Sequence, residues 1–211
     1  MNTRDTEYIQ QSGKYRLLKQ LNYDQIVPFV FENIRKKTIS ARFYFSFNGL
    51  TLILILYFLI PGTLSYPLFF KHFFVQFLSG LMMGSILIIP FHEGFHALAY
   101  KLVGAPKIHF GADMRQMIFY VSADHYAIGR RSFYFVALAP FVMINLAGIA
   151  LYLLGNNIPM HTLLFSLLFH NIMCIGDFAM LSFFQMHRGK ELVTFDDLKG
   201  RISYIYEKME K

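Results

Sequence analysis

A single cysteine, Cys174, leaves this 211-residue chain without the means to build an intramolecular disulfide framework. Acidic side chains are scarce, 13 Asp and Glu against 20 Lys and Arg. Charge is absent altogether from three stretches, Phe43 to Phe70, His72 to His92 and Ser132 to Gly176. Each is too long for a soluble strand or an ordinary core helix. No internal repeat or low-complexity tract is present, which excludes a solenoid. Nor does a Lys- or Arg-flanked cleavable segment open the chain, so the first crossing is expected to serve as the insertion signal.

What remains is strongly apolar: 55% of the residues are hydrophobic, 24 are Phe, and the mean hydropathy is +0.40. A multi-pass membrane protein is expected. About 20 apolar residues cross a bilayer, so the uncharged run from Ser132 to Gly176 must hold two crossings, with Gly155-Asn156-Asn157-Ile158-Pro159 as the turn. The expected fold is an all-α integral membrane protein of four transmembrane helices, about Phe45 to Ile60, Phe73 to Val103, Arg131 to Leu154 and His161 to Met186. Between the second and third, Lys107 to Phe110 and Met117 to Val121 read as a small β-hairpin-like loop around Gly111-Ala112-Asp113. A sheet edge there suits strand addition by an extended peptide. The chain then divides into an N-terminal segment (1–42), a four-helix membrane domain (43–186) and a C-terminal tail (187–211). Tyr15, Leu18 and Leu21 in the first segment, and Phe195, Leu198, Ile202 and Ile205 in the last, have helical spacing and predict short surface helices. Gly80 and Gly84 form a small-x-x-x-small pair suited to close helix packing.

Basic residues place the ends. Eight Lys or Arg lie in residues 1–42, four between Gly104 and Arg131, and six from His187 onward, while the other two loops carry almost none. The positive-inside rule puts both termini and the middle loop in the cytoplasm of a cell, with the helices in its plasma membrane, bacterial by the resemblance given below. The net charge of +7 is then a matter of topology and predicts no nucleic-acid partner; the cluster Arg35-Lys36-Lys37 suits anionic lipid headgroups of the bilayer.

Against this background one motif stands out. His92-Glu93-Gly94-Phe95-His96 has the form His-Glu-x-x-His, whose two histidines share one face of a helix and can grip one metal ion. In zinc hydrolases of this kind the metal acidifies a water and the glutamate takes its proton. A chain of this composition contains such a motif by chance about once in a hundred cases, so context must add weight. A carboxylate in an apolar crossing costs several kcal/mol and usually marks function. Pro90, two residues before His92, removes a helical hydrogen bond and predicts a bend beside a water-accessible pocket.

Catalytic zinc normally has three protein ligands. A third His six residues after His96 is excluded because Leu102 stands there, and the downstream glutamates Glu191, Glu207 and Glu210 lie in the charged tail. Asp177 is the only Asp in the four expected helices. His92 and Asp177 both sit roughly 25 to 30 Å from the outer surface by residue count, so they can meet. His170, two turns before Asp177 on the same face and roughly 10 Å nearer the outside, is the competing third ligand. Asn171, Asn145 and His170 are candidates to polarise a carbonyl, hold an oxyanion or support the ligands. His109, Asp124 and His125 are more distant candidates.

With these residues in place the sequence resembles the bacterial membrane family described as putative zincin peptidases, formerly a domain of unknown function, and is distantly similar to the site-2 intramembrane metalloproteases. The resemblance spans roughly Phe73 to Met186 and includes Ala139-Pro140. It implies His92, His96 and Asp177 as ligands of Zn²⁺ and Glu93 as the base. The site-2 pattern carries Pro near its Asp and Gly after it, whereas Phe178 follows Asp177 here and no Pro closely precedes it. The expected function is a membrane-embedded zinc metallopeptidase, a hydrolase cleaving membrane or membrane-adjacent proteins. The alternative is a non-catalytic scaffold or partner-binding protein that keeps the metal. Transport of metal is a weaker reading, since the helices hold no line of carboxylates.

Overall fold

The computed structural model describes residues 3–63, 69–116, 118–155 and 157–209. A short helix α1 (Thr3–Gln11) and strand β1 (Tyr15–Asn22) lead into α2 (Ile26–Ile34) and the long α3 (Ile39–Thr63). Next come α4 (Phe69–Met82), a π-helical turn at Met83–Leu87 and α5 (Ile89–Leu102). Strands β2 (His109–Asp113), β3 (Ile118–Ser122) and β4 (Ile128–Gly129) precede α6 (Arg130–Leu153). Helices α7 (Met160–Met173) and α8 (Ile175–Met186) are followed by β5 (Leu192–Asp197) and β6 (Ile202–Lys208).

Three helical stretches are long and apolar enough to cross a membrane: Ile39–Phe58, Lys71–Leu102 and Arg130–Leu153. The pair α7 and α8 passes the same test only together and bends by 45° at Cys174, so the described residues offer three spans, or four if the bent pair is one. The expectation of a wholly α-helical protein with four plain spans is therefore corrected. Six strands form two antiparallel sheets among the described residues, a four-stranded one in the order β1-β6-β5-β4 and the pair β2-β3. The hairpin between the second and third spans is present as β2-β3, although Met117 lies outside the described residues, as does Asn156 of the proposed turn.

Both surface-helix expectations fail for identifiable reasons. In β1 the spacing does not mark one face: Tyr15 packs with Phe195 and Tyr206 on one side of the sheet, Leu18 and Leu21 pack with Ile205 on the other, and the register against β6 shifts at Leu18. In the tail, Val193, Thr194, Phe195, Ile202, Tyr204, Ile205 and Tyr206 are β-branched or aromatic and favour strands. The segment Leu198 to Arg201 turns the chain between them, and the spacing of Phe195, Leu198, Ile202 and Ile205 spans two strands and a loop.

At the centre lies α8. Phe178, Ala179, Leu181, Ser182 and Phe184 are all essentially inaccessible, which covers most of the helix circumference and marks a helix enclosed by protein. Phe184 stacks on Phe133 of α6, and Phe178 packs among Phe43, Tyr44 and Phe141. The end of α8 is held by Arg130, whose guanidinium donates to the carbonyls of Phe184, His187 and Lys190. The His187 carbonyl also accepts from the Lys190 N–H, so the guanidinium ties together the turn that follows α8. On the opposite side α4 and the π-helical turn lie against α7 at backbone contact, because a Cβ at Gly80 or Gly84 would collide with Phe165 and with the backbone of Thr162 and Ser166.

Candidate metal centre

Helix α5 carries the motif. Pro90 occupies the first turn of α5, where its missing N–H costs nothing, and the preceding π-helical turn closes through Ile88 N–H to the Met83 carbonyl. The irregularity expected from Pro90 thus lies just upstream of His92. Four residues of spacing bring the two imidazoles together, and His96 Nε2 is 3.2 Å from His92 Nε2. Asp177 enters from the first turn of α8, with Oδ1 3.4 Å from His96 Nε2 and Oδ2 3.6 Å from His92 Nε2.

For ligand atoms about 2.0 to 2.2 Å from zinc, the edge of a tetrahedron is about 3.3 to 3.6 Å. The two histidine–carboxylate separations fall in that range, and the 3.2 Å between the two Nε2 atoms lies just below it. The donor chemistry agrees, because each histidine has its other ring nitrogen engaged elsewhere. His96 Nδ1 is 3.0 Å from the Val136 carbonyl, and His92 Nδ1 is 3.1 Å from His170 Nε2. A carbonyl only accepts, so His96 carries its proton on Nδ1 and presents a lone pair at Nε2. A pocket of lone pairs beside a carboxylate fits a cation. Asp177 also satisfies both histidines, which His170 does not: His170 touches His92 alone and groups with it and Cys174, whose Sγ is 3.6 Å from His170 Nε2.

Val136 is available to His96 for a local reason. Its carbonyl would pair with the N–H four residues on, and that residue is Pro140, which has none. The freed acceptor is spent on the imidazole. This link was readable in principle, since an interior proline always frees the carbonyl four residues before it.

The centre opens into a cavity of about 450 Å³. His92, Glu93, His96 and Asp177 line it, α2 contributes Ile26, Val27, Val30 and Phe31, and β3 contributes Ile118 to Val121. Glu93 Oε2 is buried there without a hydrogen-bond partner, while the backbone of Val121 interacts with the carboxylate. An unpartnered buried carboxylate oxygen calls for a proton donor to complete it. The roles of α2 and β3 as walls were not visible in the sequence, because both reach the motif only through tertiary packing.

The remaining candidates lie elsewhere. Asn145 and Asn171 are hydrogen-bonded to each other across α6 and α7 and neither lines the cavity. His109 is on β2 and does not line it either. Asp124 and His125 join Asp197 in a separate surface group, with His125 Nε2 3.7 Å from Asp197 and 3.9 Å from Asp124. Of the tail glutamates, Glu191 pairs with Lys208, and Glu207 with Arg16 and Lys190; Glu210 lies outside the described residues. Those two lysine and arginine partners hold the Glu207 carboxyl below its usual range.

Helices long and apolar enough to cross a membrane thus carry a His-Glu-x-x-His helix met by an aspartate from a later one. Residues 85–189 match the family described as "Putative zincin peptidase". The match contains the whole of the motif, Pro140, the two asparagines, His170 and Asp177. That description is of a peptidase of the zincin kind, for which zinc is the implied cofactor. No curated protein and no solved structure matches the chain.

Proposed function

We propose that the chain is a membrane-embedded zinc metallopeptidase in which His92, His96 and Asp177 hold Zn²⁺ and Glu93 is the general base. The observation that carries this reading is the convergence of two Nε2 atoms and one carboxylate within 3.2 to 3.6 Å of one another, with the unpartnered Glu93 oxygen lining the same cavity. Zinc bound there would supply Lewis acidity, bringing the pKa of a water toward neutrality and polarising a peptide carbonyl. Glu93 then accepts the proton of the attacking water at Oε2 and returns it to the departing amine nitrogen, so the peptide C–N bond is exchanged for a C–O bond with protons in balance. Asp177 offsets part of the positive charge and keeps both imidazoles aimed inward. The substrate is an apolar, extended segment of a membrane or membrane-adjacent protein, lying between α2 and β3 with its backbone along the β3 edge. The apolar lining of both walls supports that choice. The middle loop and both termini face the cytoplasm, as the basic residues require.

Glu93→Gln tests the enzyme against the scaffold. Glu93 does not complete the ligand set, so the variant should keep one zinc per chain while cleavage of the substrate falls by about 10² to 10⁴-fold. Accumulation of uncleaved membrane protein in cells carrying the variant is the accompanying readout. Full complementation of a deletion strain by zinc-loaded Glu93→Gln would reject catalysis and leave the scaffold reading.

A further inference from the structure

A chain of hydrogen bonds runs from α6 through α7 to α5 and ends on the outer nitrogen of His92. It begins at an atom whose role is fixed. The Phe141 carbonyl can only accept, so the Asn145 atom 2.8 Å away is the amide nitrogen. That nitrogen also lies 2.7 Å from Asn171, whose facing atom must therefore be the accepting Oδ1. The same Oδ1 is 3.3 Å from His170 Nδ1, which makes Nδ1 the protonated nitrogen of that ring and leaves Nε2 as an acceptor. His170 Nε2 in turn is 3.1 Å from His92 Nδ1, which must donate. With its proton on Nδ1, His92 presents a lone pair at Nε2 toward His96 and Asp177. His170 and Asn171 are fully buried, so no water competes for these atoms.

We propose that Asn145, Asn171 and His170 are positioning residues that set the tautomer and ring orientation of His92 for metal binding. The inference rests on the reading of His92 as a zinc ligand, and it gives a task to three polar side chains that do not themselves reach the metal. His96 reaches the same state in one step through the Val136 carbonyl. His92 stands farther from α6 and reaches it in four. Both tautomers are thus dictated by backbone carbonyls of one helix, five residues apart. Outer partners of this kind raise ligand basicity and typically account for 10 to 100-fold in metal affinity.

The test uses the full chain in lipid nanodiscs with ¹⁵N-labelled histidine. In the metal-free protein, imidazole ¹⁵N shifts should show both His170 and His92 protonated at Nδ1. Asn171→Leu removes the acceptor and should move the His170 proton to Nε2, and zinc affinity measured by chelator competition should fall about 10 to 100-fold. Asn171→Asp keeps an acceptor oxygen and should restore the Nδ1 tautomer and most of the affinity, which a loss of packing alone would not do. Asn145→Ala, at a half-buried position, frees the Asn171 amide to turn and should give a mixture of His170 tautomers, so it decides the matter should Asn171→Leu fail to fold. The proposal is overturned if His170 of the wild type is protonated at Nε2, or if Asn171→Leu and Asn145→Ala both keep the Nδ1 tautomer and wild-type zinc affinity. A wild-type protein that binds no zinc would reject the metallopeptidase reading, and the metal-free spectra would still decide whether the relay exists.

Discussion

Removing Asp177 and removing His170 should have different consequences, although the two side chains lie on either side of the same imidazole. Asp177 faces the Nε2 atoms of both histidines, so Asp177→Ala leaves two ligands and should abolish stoichiometric zinc in elemental analysis of the purified protein. His170 meets only the outer nitrogen of His92, so His170→Ala should still carry one zinc at saturating metal, with weaker affinity. Retention of zinc by Asp177→Ala with its loss from His170→Ala would exchange the two roles. Pro140 offers a second test at this scale. Pro140→Ala restores a backbone N–H that competes with His96 Nδ1 for the Val136 carbonyl, and should weaken zinc by about 10-fold. Unchanged affinity would show that the imidazole keeps its partner without the proline. His92, Glu93 and His96 were legible from spacing alone, because four residues along a helix is a local geometry. Asp177 was legible from depth and from the cost of a lone carboxylate in an apolar helix. The choice between Asp177 and His170 was not, because it depends on which nitrogen of His92 each one faces.

Between elements, the Gly80-to-Gly84 stretch lies at backbone contact with α7. Gly84→Ala would drive a methyl group into the Ser166 backbone, which cannot rotate away, and overpacking of this sort costs about 1 to 3 kcal/mol. The melting temperature of the purified protein should fall by about 2 to 12 °C. A variant that melts with the wild type would mean that the two helices are free to separate at this point. The close approach had a sequence signature in the small-x-x-x-small pair. The terminal strands had only a misleading one, since apolar residues on opposite faces of β1 and a turn at Leu198 to Arg201 each mimic helical spacing. Strand identity depends on a partner, and the partner of β1 is β6, 191 residues away at Arg16 and Glu207. The break at Cys174 was likewise hidden, for no proline marks it, yet it sets the direction from which α8 delivers Asp177.

For the molecule as a whole, β1 precedes the apolar helices, β4 lies between them and β5 and β6 follow them, and all four share one sheet. That pairing supports a common side for both termini and the middle loop, the side the basic residues assign to the cytoplasm. In a Cys174→Ala background, Arg115→Cys and Lys199→Cys should be labelled only from the cytoplasmic face and Asn157→Cys only from outside. External labelling of Arg115→Cys would break this topology. The sequence by itself determined what is local or additive: apolar runs long enough to cross a bilayer, a bias of basic residues, and a pair of histidines four residues apart on a helix. Tertiary structure decided what depends on distant partners: the two sheets, the bent pair of α7 and α8, the walls of the cavity, and which acceptor each imidazole finds. A hydrogen-bond donor or a strand edge has no identity until another segment is folded against it, and no spacing along the chain records which segment that will be.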